Sequence, residues 1–212
     1  MTAAALPSAG AARPLPPAGR VGFWLFLGTE AMLFLALLSA YVVARQSAGA
    51  NWPQPGQTLA DGARLMNPWL GGANTVLLVA ANVLVAAASR ATARGDNRGA
   101  RNALAGALAL GTLFLGVKLW EYSGKVHHGL LPLTAGEHLP PVGRLWSSYY
   151  FGLTGLHALH IVLGLACLLW LLVLAAAGRL APQRAVLAAN LASYWLLVDL
   201  VWLALFPLLY LA

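Results

Sequence analysis

The sequence predicts an all-α protein, an integral membrane bundle of five transmembrane helices, on three observations. Of its 212 residues, 60% are hydrophobic and 9% charged, more apolar side chain than one soluble core of that size can hide. Five stretches are long and apolar enough to cross the hydrocarbon of a bilayer, which takes about 20 residues at about 1.5 Å rise each. No stretch shows the alternation of a strand, and within a bilayer a helix satisfies its own backbone N–H and C=O groups.

Residues 1–20, MTAAALPSAGAARPLPPAGR, are rich in Ala and Pro and lack an apolar core. They are expected to form a disordered N-terminal tail, not a signal peptide, ahead of a membrane domain over residues 21–212. The five expected spans run approximately from Val21 to Ala44, Gly71 to Ser89, Ala103 to Tyr122, Ser148 to Ala176 and Ala185 to Leu211. Between them NWPQPGQ, RGDNRG, GLLPLTAGEHLPPVG and GRLAPQ carry the Pro, Gly and Asn of turns.

The formal charge is +7, yet the basic residues sit in short segments between apolar runs, as topology signals do, and do not point to nucleic acid. The tail (Arg13, Arg20), the second connector (Arg90, Arg94, Arg98, Arg101) and the fourth (Arg179, Arg184) put eight on one side. Arg45, Arg64, Lys125 and Arg144 put four on the other. The N-terminus is therefore expected to be cytoplasmic and the C-terminus outside. The single cysteine, Cys167, excludes an intramolecular disulfide and any thiolate-cluster metal site.

Function should lie with polar groups at membrane depth, where a charge costs a few kcal/mol or more. Glu30 interrupts GFWLFLGTEAMLFLALL, and Asp199 lies in YWLLVDLVW with Trp195 and Trp202 on its own face. Both acids are expected to face protein, lipid headgroups or water. Lys118 and Glu121, three residues apart near the outer end of the third helix, can pair while the lysine snorkels to the headgroups. In LHALH, His157 and His160 share a side of the fourth helix. That spacing suits one metal, or a single histidine could ligate a haem, but neither site is complete. The other histidines, His127, His128 and His138, belong to the outer connector, and spacing gives no support for recruiting Glu30 or Asp199. Hydrogen bonding between helices and contact with a bound lipid are the remaining roles. No phosphate loop, His-Glu-x-x-His or nucleophile–base pattern is evident.

Four segments together resemble subunit III of the haem-copper terminal oxidases, the cytochrome c oxidase subunit III family. They are GFWLFLGTEAMLFLALLSAY, NTVLLVAANVLVA, GTLFLGVKLWEY followed by KVHHGL, and SSYYFGLTGLHALHIVLGL with YWLLVDLVWLALFPLLYL. The order is that of the family and the coverage runs from about Gly22 to the end.

The resemblance implies a short bacterial form. The five helices match the last five of the seven-helix form, whose first two stand apart and enclose a lipid-filled cleft. Glu30 matches the family's intramembrane glutamate, near subunit I and bound lipid. The family is an accessory, non-catalytic part of an oxidoreductase complex that supports assembly, phospholipid binding and proton uptake by subunit I. Haem and copper would belong to partner subunits I and II, with no cofactor or metal on this chain, and the setting would be a bacterial inner membrane. In shorter members the two absent helices are often found at the C-terminal end of subunit I. The sequence also departs from the pattern: Leu196 follows the Tyr-Trp pair where many members have histidine, and Ala81 and Asn82 stand where many have hydroxyls. Such divergence leaves open a homologue associated with nitric oxide reductase. From another class, a small transporter or haem-carrying membrane anchor also remains open.

Overall fold

Each connector ends in a device that starts or stops a helix. In the computed structural model, which describes residues 18–57, 65–132 and 139–211, α1 spans Ala18–Ala48, α2 Pro68–Ala93, α3 Asn97–His127, α4 Pro141–Ala176 and α5 Ala185–Phe206. A short 3-10 turn, Gly49–Asn51, follows α1, and one π-helical turn, Pro207–Leu211, extends α5. The Asn67 side chain accepts from the amides of Trp69 and Leu70 at 3.1 and 3.4 Å, with Pro68 in the first turn, where its missing N–H costs nothing. Between α2 and α3, Gly95 takes φ +74° and Asp96 caps the Gly99 amide at 2.8 Å. All five helices are long and apolar enough to cross a membrane, and no strand occurs among the described residues.

Most helices outrun the expected spans. Ala18 to Arg20, expected in the tail, form the first turn of α1, and α3 begins at Asn97, six residues before Ala103. Apolarity marks what lies in hydrocarbon, whereas the helix continues until a cap or proline stops it. Residues 1–17 of the expected tail lie outside the described residues, as do Leu133 to His138 of the outer connector.

The helices α2, α3, α4 and α5 form the body, and α1 leans on α4 and α5. Close approach around Trp195 depends on two glycines. A Cβ on Gly164 of α4 would lie 2.8 Å from Trp195 Cζ3 of α5, and one on Gly111 of α3 would lie 3.1 Å from Trp195 Cη2. Their bare backbones make room for one indole between three helices, the small-residue packing that membrane bundles use in place of a hydrophobic driving force. By contrast Gly28 of α1, Gly116 of α3 and Gly152 of α4 face open space. The outward surface is apolar, as lipid requires: Leu25, Met32, Leu35, Val76, Leu119 and Val173 are all exposed.

Candidate functional site

Polar side chains gather at two places, one on the α1 flank and one at the end of the bundle where α3 finishes. On the flank, α1 carries Glu30 and α4 carries His160, and the two meet with Glu30 Oε2 2.9 Å from His160 Nε2. The other ring nitrogen, Nδ1, lies 2.8 Å from the Leu156 carbonyl. A carbonyl only accepts, so Nδ1 carries a proton. In neutral imidazole Nε2 is then the acceptor, and the contact with a carboxyl oxygen needs one more proton. That proton sits either on Glu30, giving a neutral pair, or on His160, giving a carboxylate–imidazolium pair of the same total charge. The pair thus holds one exchangeable proton without placing a net charge in the membrane. Phe34 meets the ring edge-on at 5.1 Å, and Tyr194 stacks at 6.4 Å while its hydroxyl donates to the His160 carbonyl at 2.9 Å. The Glu30 side chain stays 20% exposed, open to whatever covers α1. Next to it an apolar groove of about 300 Å³ runs between α1, α4 and α5, lined by Phe23, Phe26, Cys167, Trp170 and Tyr194.

His157 does not join this pair. Three positions along a helix leave two side chains about 60° apart and about 4.5 Å apart along the axis, enough for His157 and His160 to meet different neighbours although both are buried. The His157 ring stacks on Trp202 at 5.3 Å and meets Phe114 edge-on at 5.8 Å. Neither of its ring nitrogens has a hydrogen-bond partner among the described residues, so the expected interhelical hydrogen bond forms at His160 alone. Asp199 is buried beside Asn82 of α2. Neither flanking indole serves it: Trp202 donates to Thr75 Oγ1 at 3.0 Å, and Trp195 Nε1 and Asp199 Oδ1 are without partners among the described residues. Ala81 is fully buried in the apolar core, whereas Leu196 is exposed.

The second cluster overturns the expectation that Lys118 snorkels. Its side chain points into the bundle and is 3% exposed. The ammonium lies 2.9 Å from Glu121 Oε2, 2.8 Å from the Tyr210 hydroxyl and 3.2 Å from that of Tyr150, so three protons meet three acceptors. Tyr150 and Tyr210 pass their own protons to Glu121 at 3.0 and 2.7 Å. The rings of Tyr122 and Trp202 lie 5.3 and 5.4 Å from the ammonium, close enough to attract the cation through their electron-rich faces. Lys125 completes the cluster, 3.7 Å from Glu121 Oε1 and donating to the Leu65 carbonyl at 2.5 Å. Tyr122 and Thr154 share a hydrogen bond. A buried ion pair repays its desolvation only when hydrogen bonds satisfy its remaining donors and acceptors, and for Lys118 and Glu121 they do.

Sequence reasoning missed the tyrosines. Tyr150 and Tyr210 lie 29 and 89 residues from Glu121, and a tyrosine near the end of a span reads equally well as an interface anchor. Among the described residues no three His, Cys, Asp or Glu side chains converge; Glu30 and His160 meet, but as a pair.

A model of the cytochrome c oxidase subunit III family matches residues 17–212. A probable cytochrome c oxidase subunit 3 of Mycobacterium bovis is 30% identical over 191 residues, covering 90% of this chain and 86% of that protein. The cytochrome c oxidase subunit 3 of Synechocystis is 31% identical over 198 residues, 90% of this chain and 74% of the relative. A heme-copper oxidase subunit I+III of Aeropyrum pernix is 32% identical over 200 residues, which make up 91% of this chain and 22% of that longer protein. Matched along nearly its whole length by the family and by full-length relatives, the chain belongs to the cytochrome c oxidase subunit III family and is an accessory subunit III of a haem-copper oxidase.

Proposed function

We propose that this chain packs directly against subunit I, with subunit II in the same complex, in a bacterial inner membrane with its N-terminus on the cytoplasmic side. There it supports assembly, binds phospholipid and sustains proton uptake into subunit I. It has no active site of its own, and the haem and copper of the reaction belong to the partner subunits. One observation carries the proton role: Glu30 Oε2 lies 2.9 Å from His160 Nε2, a contact that takes a proton between them, on the flank formed by the helix least embraced by the bundle. A neutral pair avoids the cost of a lone charge in hydrocarbon, while its two protonation arrangements allow a proton to pass between the residues. The apolar groove beside Tyr194 supports the phospholipid part of the reading by offering an acyl chain a bed next to that pair. Of the remaining buried polar groups, Asp199 with Asn82 joins α5 to α2, and His157 is packed with Trp202 and Phe114 to set the place of α4.

Two substitutions separate a proton role from packing. Glu30→Gln keeps the size and can still donate to His160 Nε2, but does not ionise; Glu30→Ala removes both properties. The proposal expects both variants to slow proton uptake by the assembled oxidase or shorten its active lifetime. Harm from Ala alone, as lost assembly, would reduce Glu30 to a packing role. Normal turnover and lifetime with both would remove it from the site.

A further inference from the structure

We propose that a hollow where α2 begins and α3 ends binds the headgroup of an anionic phospholipid, a site distinct from the Glu30 flank and independent of the proton reading. The hollow, of about 490 Å³, is lined by Asn67, Glu121, Lys125 and His127 on its polar side and by Leu65, Leu70 and Trp120 on its apolar side. Its charge follows from the buried cluster beneath it. Two lysines share one carboxylate, Glu121, and Lys118 has spent all three protons on Glu121, Tyr150 and Tyr210. Lys125 has not. It gives one proton to the Leu65 carbonyl at 2.5 Å, and Glu121 at 3.7 Å is beyond hydrogen-bond reach.

A lysine that is 7% exposed, lines a hollow and keeps donors in hand is the partner an anionic oxygen requires. The N-terminus of α2 and the C-terminus of α3 meet here with opposite partial charges that offset each other, so the lysines set the sign of the field. Among the described acids only Glu121 belongs to this cluster; Asp61 and Glu137 lie outside the described residues. The apolar wall distinguishes a lipid from free phosphate. Leu70 and Trp120 suit the first methylenes of an acyl chain, and the exposed Trp69 and Trp120 rings mark headgroup depth, where amphipathic indoles settle. Lys125 and the exposed His127 would hold the phosphate, with the chain descending past Trp120 into the leaflet at this end.

The test is native mass spectrometry of the full chain released from nanodiscs of phosphatidylglycerol in an excess of phosphatidylcholine. The wild type should keep one phosphatidylglycerol that Lys125→Gln holds about tenfold more weakly, the loss expected for one charge-assisted bond. Lys125→Arg should keep it, and His127→Gln should weaken it. Excess inorganic phosphate should not displace it. Equal retention by the wild type, Lys125→Gln and His127→Gln overturns the site, and displacement by inorganic phosphate overturns the lipid as its occupant. Should Lys125→Gln fail to fold for want of its bond to Leu65, the exposed His127→Gln and the charge-preserving Lys125→Arg decide the matter.

Discussion

The Nζ of Lys118 lies 2.8 Å from the hydroxyl of Tyr210, 92 residues further along the chain. Through this contact the π-helical turn Pro207–Leu211 is fastened to the last third of α3, and Tyr150 brings α4 to the same point. The cluster is a polar knot in an apolar bundle. Inside the bundle no solvent can relieve an unmatched donor of Lys118, so the geometry around it is enforced from all sides.

Breaking that knot on one side should cost more than removing it. Lys118→Met leaves Glu121 with only the looser Lys125 as a cationic partner and is expected to destabilise the chain by about 3–5 kcal/mol, the usual cost of stranding a buried charge. The double variant Lys118→Met with Glu121→Gln removes both charges and should recover a large part of the loss. Thermal unfolding of the purified chain in detergent reads both. A single variant as stable as the wild type would mean that the cluster does not hold the helices together.

The five helices and the special position of Glu30 were legible in the sequence because both are one-dimensional signals: an apolar run, and an acid inside one. The partner of Glu30 was not. His160 lies 130 residues away, and spacing within LHALH placed His157 and His160 together although different neighbours surround each ring. The direction of Lys118 was illegible for a related reason. A lysine near a helix end has two low-energy fates, the headgroups or a buried carboxylate with further acceptors, and only the positions of Tyr150 and Tyr210 decide between them. For Asp199, local spacing brought two indoles to its face, yet Trp202 turns to Thr75 on α2, a choice set by packing between helices.

The glycines should divide into two classes under substitution. Gly164→Ala places a methyl 2.8 Å from the Trp195 ring, a rigid neighbour held between three helices, and overpacking of this kind costs about 1–3 kcal/mol. Gly28→Ala meets nothing within 4 Å and should leave the stability of the isolated chain unchanged. If α1 lies against a partner, the same Gly28→Ala, or a bulkier Gly28→Leu, should lower recovery of the assembled oxidase. Equal unfolding temperatures for Gly164→Ala and the wild type would contradict the close packing at Trp195.

Orientation can be read with reporters. Five crossings put the two ends of the chain on opposite faces, and the arginines of RATARGDNRGAR should hold the α2–α3 turn in the cytoplasm. A reporter that functions only in the cytoplasm should then be active when fused at Asn97 and silent when fused at Leu133. The opposite pattern would invert the bundle and move the lysine cluster to the cytoplasmic side.

The partner's composition is the furthest-reaching expectation. Helix α1 rests on α4 and α5 along one side and leaves Trp24, Leu25, Met32, Leu35 and Val43 exposed on the rest. Glu30 stays partly open on the same helix, and a carboxyl group facing acyl chains is costly unless protein or a headgroup covers it. The family resemblance implies two more helices in the seven-helix form, ahead of the one that α1 resembles. We therefore expect the subunit I that works with this chain to carry two transmembrane helices beyond its usual set, at its C-terminal end, packed beside α1 to complete a lipid-filled cleft. A cysteine at Gly28, where nothing lies within 4 Å, should crosslink to a cysteine in those helices within the purified oxidase. A subunit I of ordinary length, with no separate two-helix protein in the complex, would mean that the bundle works without the cleft and that lipid alone covers Glu30.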